Sequence, residues 1–220
     1  YIQSKLGTVL DVTSASAAAG TNVQTYTFNQ STAQKWTLLE TEKTLYSIMG
    51  KTNVSVSQMV KFYKNKATVS YPYSNVSEAP TIEKFCQIYK EESEVEGVKA
   101  EVAFAQAMME TGFLKFGGDV KKDQYNFAGI GAIGGGSSGA KFDSIRIGIR
   151  AHVQHLKAYA SKEALKQPVV DPRFQYVKRG SAEYVQWLGQ KENPNGYGWA
   201  TAKNYGNNIV KLYILPMKKY

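Results

Sequence analysis

Ala100-Glu101-Val102-Ala103-Phe104-Ala105-Gln106-Ala107-Met108-Met109-Glu110-Thr111-Gly112 is the stretch on which the fold turns. No charge interrupts it between Glu101 and Glu110, and apolar residues occur on every side, so the segment reads as a helix from about Val98 to Thr111 that is central in the fold. Gly112 supplies its stop. Glu110 then falls in the last turn, on the same side as Gln106, Ala107 and Ala103, where small neighbours leave room for something to approach. A carboxyl there is partly desolvated and sits at the negative end of the helix dipole. Both effects raise its pKa, and a general acid requires that environment.

Upstream of this helix, a second one is predicted from about Pro80 to Glu96, ended by Gly97. Before it, Ser55-x-x-Gln58 has the capping-box pattern, and Met59, Phe62 and Tyr63 follow at helical spacing to about Asn65. Residues Ser70–Pro80 read as a loop. Downstream, about 30 residues to Ser144 carry no convincing helix, a length that marks functional loops. They hold Phe116-Gly117-Gly118-Asp119, Tyr125-Asn126-Phe127-Ala128-Gly129-Ile130-Gly131 and a flexible run, Gly134-Gly135-Gly136. Further helices are predicted over about Ser144–Lys166, Ser181–Leu188 and Lys203–Leu215, with the aromatic turn Asn193-Pro194-Asn195-Gly196-Tyr197-Gly198-Trp199 between the last two. The expected class is mainly α, with a Gly/aromatic-rich loop or β-hairpin lobe and a small N-terminal β segment.

That β segment, Tyr1 to about Glu40, contains the short runs Thr8–Val12 and Val23–Phe28 and ends in Gln34-Lys35-Trp36. Together with Gly7-Thr8-Val9-Leu10-Asp11-Val12 and Gly20-Thr21-Asn22-Val23-Gln24-Thr25-Tyr26, the Gln-x-Trp signature resembles one repeat of a ricin-type β-trefoil, a sugar-binding module. A trefoil needs three repeats, and a lone one cannot bury a core. The segment is therefore expected to pack on the next domain or to be a truncated remnant without a competent sugar site. The organisation read from the sequence is 1–40 as the partial repeat, 41–80 as a linker and short helical leader packed on the catalytic domain, and 81–220 as that domain.

Composition removes several classes. With 220 residues, 43% hydrophobic, 12% aromatic and 20% charged, the chain has enough to bury and is not intrinsically disordered. The longest uncharged runs, Val12–Gln34 and Gln124–Ala140, are too polar to cross a bilayer, so no membrane insertion is expected. The net charge of +9 favours polyanionic surroundings. Of the 27 basic residues only Arg146, Arg150, Arg173 and Arg179 are arginines, which suits diffuse attraction to an anionic matrix better than base reading; no nucleic acid partner is expected. Cys86 is the only cysteine, at helical spacing with Ile82, Phe85 and Tyr89, and reads as a buried hydrophobe. His152 and His155, the only histidines, lack the partners of a metal site and are read as packing or surface polar groups. No metal and no cofactor are expected. The chain opens at Tyr1 without Met, which reads as a piece of something larger.

Four ordered motifs resemble one family. The Ala100–Gly112 stretch, Asn126-Phe127-Ala128-Gly129-Ile130-Gly131, Gly148-Ile149-Arg150-Ala151-His152-Val153-Gln154-His155-Leu156-Lys157-Ala158-Tyr159 and Gly198-Trp199-Ala200-Thr201-Ala202-Lys203-Asn204-Tyr205-Gly206 look like the bacterial glucosaminidases of glycoside hydrolase family 73. The resemblance covers about Ser47–Tyr220. It implies a lysozyme-like helical domain with a groove for peptidoglycan glycan strands, cut after N-acetylglucosamine. Glu110 matches the family's general acid, Tyr205 its active-site tyrosine, and Asn126-Phe127-x-Gly129 the segment below the sugar subsites. Tyr125, Phe127, Tyr197 and Trp199 are aromatic candidates for sugar stacking, and Gln106 is a candidate substrate contact beside Glu110.

Two points stay open from the residues. No Glu occurs between Glu110 and Glu163, so a second carboxylate would be Asp119, Asp123 or Asp143, of which Asp143 lies nearest the family's second acid; otherwise the substrate's own 2-acetamido oxygen attacks the anomeric carbon. The bond cut also stays open. The same fold and a single Glu serve muramidases and lytic transglycosylases, and an inactive wall-binding module would keep the groove without the chemistry. The reading taken forward is an extracellular, cell-wall-associated, monomeric glucosaminidase drawn to peptidoglycan and to anionic wall polymers.

Overall fold

The computed structural model describes residues 1–36, 45–132 and 139–220. The chain divides into two compact units, Tyr1–Thr44 and Leu45–Tyr220. Gly134, Gly135 and Gly136 lie outside the described residues.

In the first unit, strands β1 (Thr8–Val12) and β2 (Val23–Thr27) form an antiparallel pair with Thr8 opposite Thr27, Leu10 opposite Thr25 and Val12 opposite Val23. Val9 and Asp11 alternate onto the covered face. Hydrogen bonds supplement this thin apolar content. Gln34 Nε2 donates to Asp11 Oδ2 at 3.2 Å and to the Thr27 carbonyl at 2.9 Å, while its Oε1 accepts from the Asn29 amide at 2.8 Å. The Trp36 indole N–H donates to the Leu10 carbonyl at 2.9 Å. The Gln-x-Trp signature thus ties the end of the hairpin back to both strands.

The second unit is helical. Ser55 caps α1 (Val56–Lys66) through the capping box with Gln58; α2 (Ile82–Glu96) follows Thr81, whose hydroxyl accepts from the Lys84 amide. Helix α3 (Ala100–Thr111) has almost every residue buried, as its uncharged run requires, and Gly112 ends it in the left-handed region. Helix α4 (Ile145–Ala160) packs on α2. The C-terminal helix opens with an α-turn at Tyr205–Asn208, continues as a π-helical stretch at Ile209–Ile214 and ends at Leu215–Met217, with its middle against α3. The core runs from Ile48, Met59 and Phe62 through Phe85, Phe104 and Met108 to Ile149, Ile209 and Ile214. Among the described residues no helix is long and apolar enough to cross a membrane.

The structure corrects two sequence expectations and decides a third. The helix expected to Lys166 stops at Ala160, with Ser161 extended, because tertiary partners take over the backbone beyond it. Glu96 accepts from the Lys166 and Gln167 amides, and Gln154 Oε1 accepts from the Val170 amide. Ser181–Leu188 contains only a 3-10 turn at Val185–Leu188, since Tyr184 bridges to Ser47 in extended form. Of the two forms expected for the lobe between Thr111 and Ser144, the loop is the one found, with no strand among its described residues. A 3-10 turn at Lys122–Gln124 and two backbone bonds, Ala140 N to Ile130 O and Phe142 N to Gln124 O, close it instead.

Two glycines permit the approaches that shape the site. A Cβ at Gly148 of α4 would lie 1.8 Å from the Tyr125 carbonyl, so only glycine lets the base of the lobe rest on that helix. A Cβ at Gly206 would lie 1.9 Å from the Val185 carbonyl, so only glycine lets the turn carrying Tyr205 rest on the Val185–Leu188 turn.

Candidate active site

The last turn of α3 opens into a cavity of about 270 Å³ lined by Glu110, Thr111, Phe116, Asp119, Asn126 and Gly129, among others. Glu110 as a residue is exposed, yet its carboxyl sits deep enough among protein atoms that desolvation raises its pKa; the Tyr205 hydroxyl, which donates to Oε1, pulls in the opposite direction. Tyr205 itself is buried, its phenol held well above the usual range by burial and then by the Glu110 charge. Gln106, one turn before Glu110, donates from Nε2 to the Tyr205 oxygen at 2.8 Å. Behind it the His152 Nε2 is 2.9 Å from Gln106 Oε1, and the Tyr89 hydroxyl is 3.2 Å from His152 Nδ1. Burial pushes the His152 pKa down to about 3, helped by His155, so the ring is neutral.

A carboxyl with a raised pKa at the edge of a cavity, braced from behind by buried polar groups, is suited to deliver a proton to a bound oxygen. The family follows from the sequence match: the model described as mannosyl-glycoprotein endo-beta-N-acetylglucosaminidase matches residues 86–214. The chain belongs to the glucosaminidase family. A model described as ricin-type beta-trefoil lectin domain-like matches residues 2–69, running past the β unit into α1. An uncharacterized protein of Borreliella burgdorferi is 46% identical over 132 residues, which is 60% of this chain and 61% of that relative's length. Staphylococcus aureus autolysin E shares the fold. Its catalytic glutamate-to-alanine mutant in complex with the disaccharide NAG-NAM matches at TM-score 0.51 and 19% identity over 80% of this chain and 72% of that one. The same enzyme in complex with the muropeptide NAM-L-Ala-D-iGlu matches at TM-score 0.51 and 19% identity over 99% and 86%. The lysozyme-like helical architecture is therefore that of glucosaminidase-family autolysins.

Within this glucosaminidase domain, the expected site residues divide into those at the cavity and those elsewhere. Glu110, Asn126 and Gly129 line it together, and Tyr205 bonds Glu110. Gln106, expected to touch substrate, instead lies fully buried with both ends of its amide engaged, so it braces Tyr205. Phe127 is likewise no sugar platform. It is fully buried against Phe85 at 5.1 Å and Tyr73 at 6.0 Å between ring centres, because the lobe needs an apolar root in the core. Tyr125 is half-buried beside Tyr73.

Asn126 is turned inward too, with its amide serving the loop: Nδ2 donates to the Ile130 and Ala140 carbonyls and Oδ1 accepts from the Ile130 amide at 2.9 Å. Trp199 lines a second cavity of about 230 Å³ with His155, Tyr159, Arg173 and Tyr176, and Gly129 borders both cavities. Tyr197 is exposed, with the Lys178 ammonium 3.8 Å from its ring centre, and lines neither cavity.

Asp143 does not join Glu110 at the cavity. Phe142 is buried in a small cluster with Ala128 and Ile130, and the next residue turns out to solvent just before the Ser144 cap of α4. The aspartate that shares the cavity with Glu110 is Asp119. Sequence reasoning missed Tyr89 and His152 behind the site. Gln106 lying one turn before Glu110 was the available signal that a buried polar partner must exist, since an amide in an apolar helix needs one.

Proposed function

We propose that this chain hydrolyses the β-1,4 bond after N-acetylglucosamine in cell-wall peptidoglycan, with Glu110 as general acid. The observation that carries the proposal is the Glu110 carboxyl at the edge of the cavity, its pKa raised by desolvation and its Oε1 held by Tyr205. Family membership gives the reaction class, and autolysin E, solved with NAG-NAM, indicates the substrate class.

In the proposed reaction Glu110 protonates the departing glycosidic oxygen while the anomeric carbon is attacked from the other side. In this proposal the assisting group is either Asp119, which lines the same cavity, or the substrate's own 2-acetamido oxygen. Tyr205 keeps Glu110 in place, since its hydrogen is already engaged by the carboxyl. The proposed setting is extracellular, with the +9 charge drawing the protein to an anionic wall.

Digestion of purified peptidoglycan by wild type and by Glu110→Gln, followed by borohydride reduction and mass spectrometry, tests the reading. Reduced N-acetylglucosamine ends from wild type, with a loss of roughly 10²–10⁴-fold in kcat for the variant, are expected. Reduced muramic acid ends would make the protein a muramidase, and anhydro-muramic ends a lytic transglycosylase. No cleavage by either protein, with glycan binding intact in both, would make it a wall-binding module.

A further inference from the structure

We infer that Tyr89 and His152, from the interior of α2 and α4, are positioning residues for Glu110: acting through Gln106 and Tyr205, they set which oxygen of the carboxyl carries the catalytic proton. The inference rests on the general-acid reading above for its functional meaning and on geometry for the rest.

The chain has five members in line: Tyr89 hydroxyl, His152 ring, Gln106 amide, Tyr205 hydroxyl and Glu110 carboxyl. Tyr89, His152 and Gln106 are fully buried. A neutral imidazole has one N–H, and an amide has a donating end and an accepting end, so the chain can run in only two directions. In one, Tyr89 donates to His152 Nδ1, His152 Nε2–H donates to Gln106 Oε1, Gln106 Nε2 donates to the Tyr205 oxygen, and Tyr205 donates to Glu110 Oε1. In the other, every member is reversed: Tyr205 donates to a turned Gln106 amide, His152 donates from Nδ1 to Tyr89, and the Tyr205 oxygen faces Glu110.

Tyr89 selects between them. Its hydroxyl has His152 as its one hydrogen-bond partner among the described residues. In the reversed direction Tyr89 would only accept, and its own hydrogen would be left without a partner in a fully buried position, which is costly. In the forward direction that hydrogen is used. The far end agrees, because the Tyr205 oxygen already accepts from Gln106 Nε2 in the forward direction, which leaves its own hydrogen for Glu110 Oε1. With the forward direction fixed, Oε1 always accepts from Tyr205. The proton of the acid is therefore held on Oε2, which has no hydrogen-bond partner among the described residues.

The other titratable groups around Glu110 are Tyr205 and Tyr213 from the C-terminal helix and Asp119 from the lobe; around His152 they are Tyr89 and His155, with the Trp199 ring against its edge. None of them supplies a second hydrogen bond to either ring nitrogen among the described residues.

Nitrogen-15 NMR of His152 in the wild-type protein tests the direction without any variant. The expected result is an Nε2–H tautomer that does not titrate between pH 5 and 8; an Nδ1–H tautomer, or a ring that charges in that range, overturns the inference. Kinetics of Tyr89→Phe on peptidoglycan, with folding checked by circular dichroism, tests the consequence. The expected change is a kcat lower by roughly three- to tenfold at unchanged KM, with the basic limb of the kcat profile moved to higher pH because Tyr205 then stabilises the Glu110 carboxylate less. A folded Tyr89→Phe with wild-type kcat and an unmoved limb shows that the core end of the chain plays no part. If wild type cleaves no glycan, the functional reading fails, while the tautomer still decides the direction of the chain.

Discussion

The two walls of the Glu110 cavity are built in different ways. The helical wall is α3 backed by α4 and the C-terminal helix, with side chains bonded to side chains through a fully buried layer: Gln106, His152 and Tyr89. The lobe wall, from Gly112 to Ser144, has a single 3-10 turn for regular structure among its described residues. Its side chains, Asn126 and Gln124 among them, bond mainly to the main chain of their own loop, and Phe127 anchors the segment in the core. The comparison teaches where precision is needed. A proton donor works only if its carboxyl is fixed, and a helix with a bonded interior fixes it; a surface that accommodates a glycan needs only a loop held at its root.

The largest effect that would sharpen this contrast comes from Asn126→Ala. Loss of its three close bonds should loosen the lobe wall alone, with kcat/KM down roughly tenfold or more, mostly through KM. Amide exchange should speed up at Ala128 and Ile130 while the α3 amides stay protected; faster exchange throughout α3 would show that the walls are not independent.

A middle-sized effect belongs to the helical wall. The His152 pKa is about 3 in the folded protein against 6.5 for the free side chain. Between those values the unfolded chain binds a proton that the native one refuses. The stability contributed is therefore complete above pH 6.5 and lost as pH falls toward 3. Unfolding free energy measured by denaturant titration should fall on acidification across that window, and His152→Gln should flatten the slope by about one proton. An unchanged slope would mean that the ring is already charged in the native state.

The smallest effect is expected at Asp143, whose replacement by Asn should leave kcat within about twofold, as for other exposed surface changes. Asp119→Asn, in the lobe wall beside Glu110, should lower kcat more. The reverse order would move the assisting carboxylate from Asp119 to Asp143.

The helical wall was the more legible of the two in the sequence, because eight uncharged residues ending in Glu110 and Gly112 dictate a buried helix that stops at an open end. Even there its beginning was displaced: Val98 pairs with Met49 in extended form, so α3 starts at Ala100. The partners of Gln106 were not legible, since Tyr205 lies 99 residues away and His152 46, and no periodicity reports such distances. In the lobe, aromatic and glycine content marked a functional loop but did not show which way each side chain faces. Phe127 and Tyr197 look alike in a sequence, yet one is a root in the core and the other stands in solvent. The early end of α4 had the same origin, as Glu96 and Gln154 capture the following backbone through contacts that form only in the folded chain.

The hairpin of the first unit carries a lesson about signatures. Both amide ends of Gln34 and the indole N–H of Trp36 are engaged by neighbouring backbone and by Asp11. The letters by which such a repeat is recognised therefore encode how the chain turns, and they would survive unchanged in a descendant that had lost all affinity for sugar.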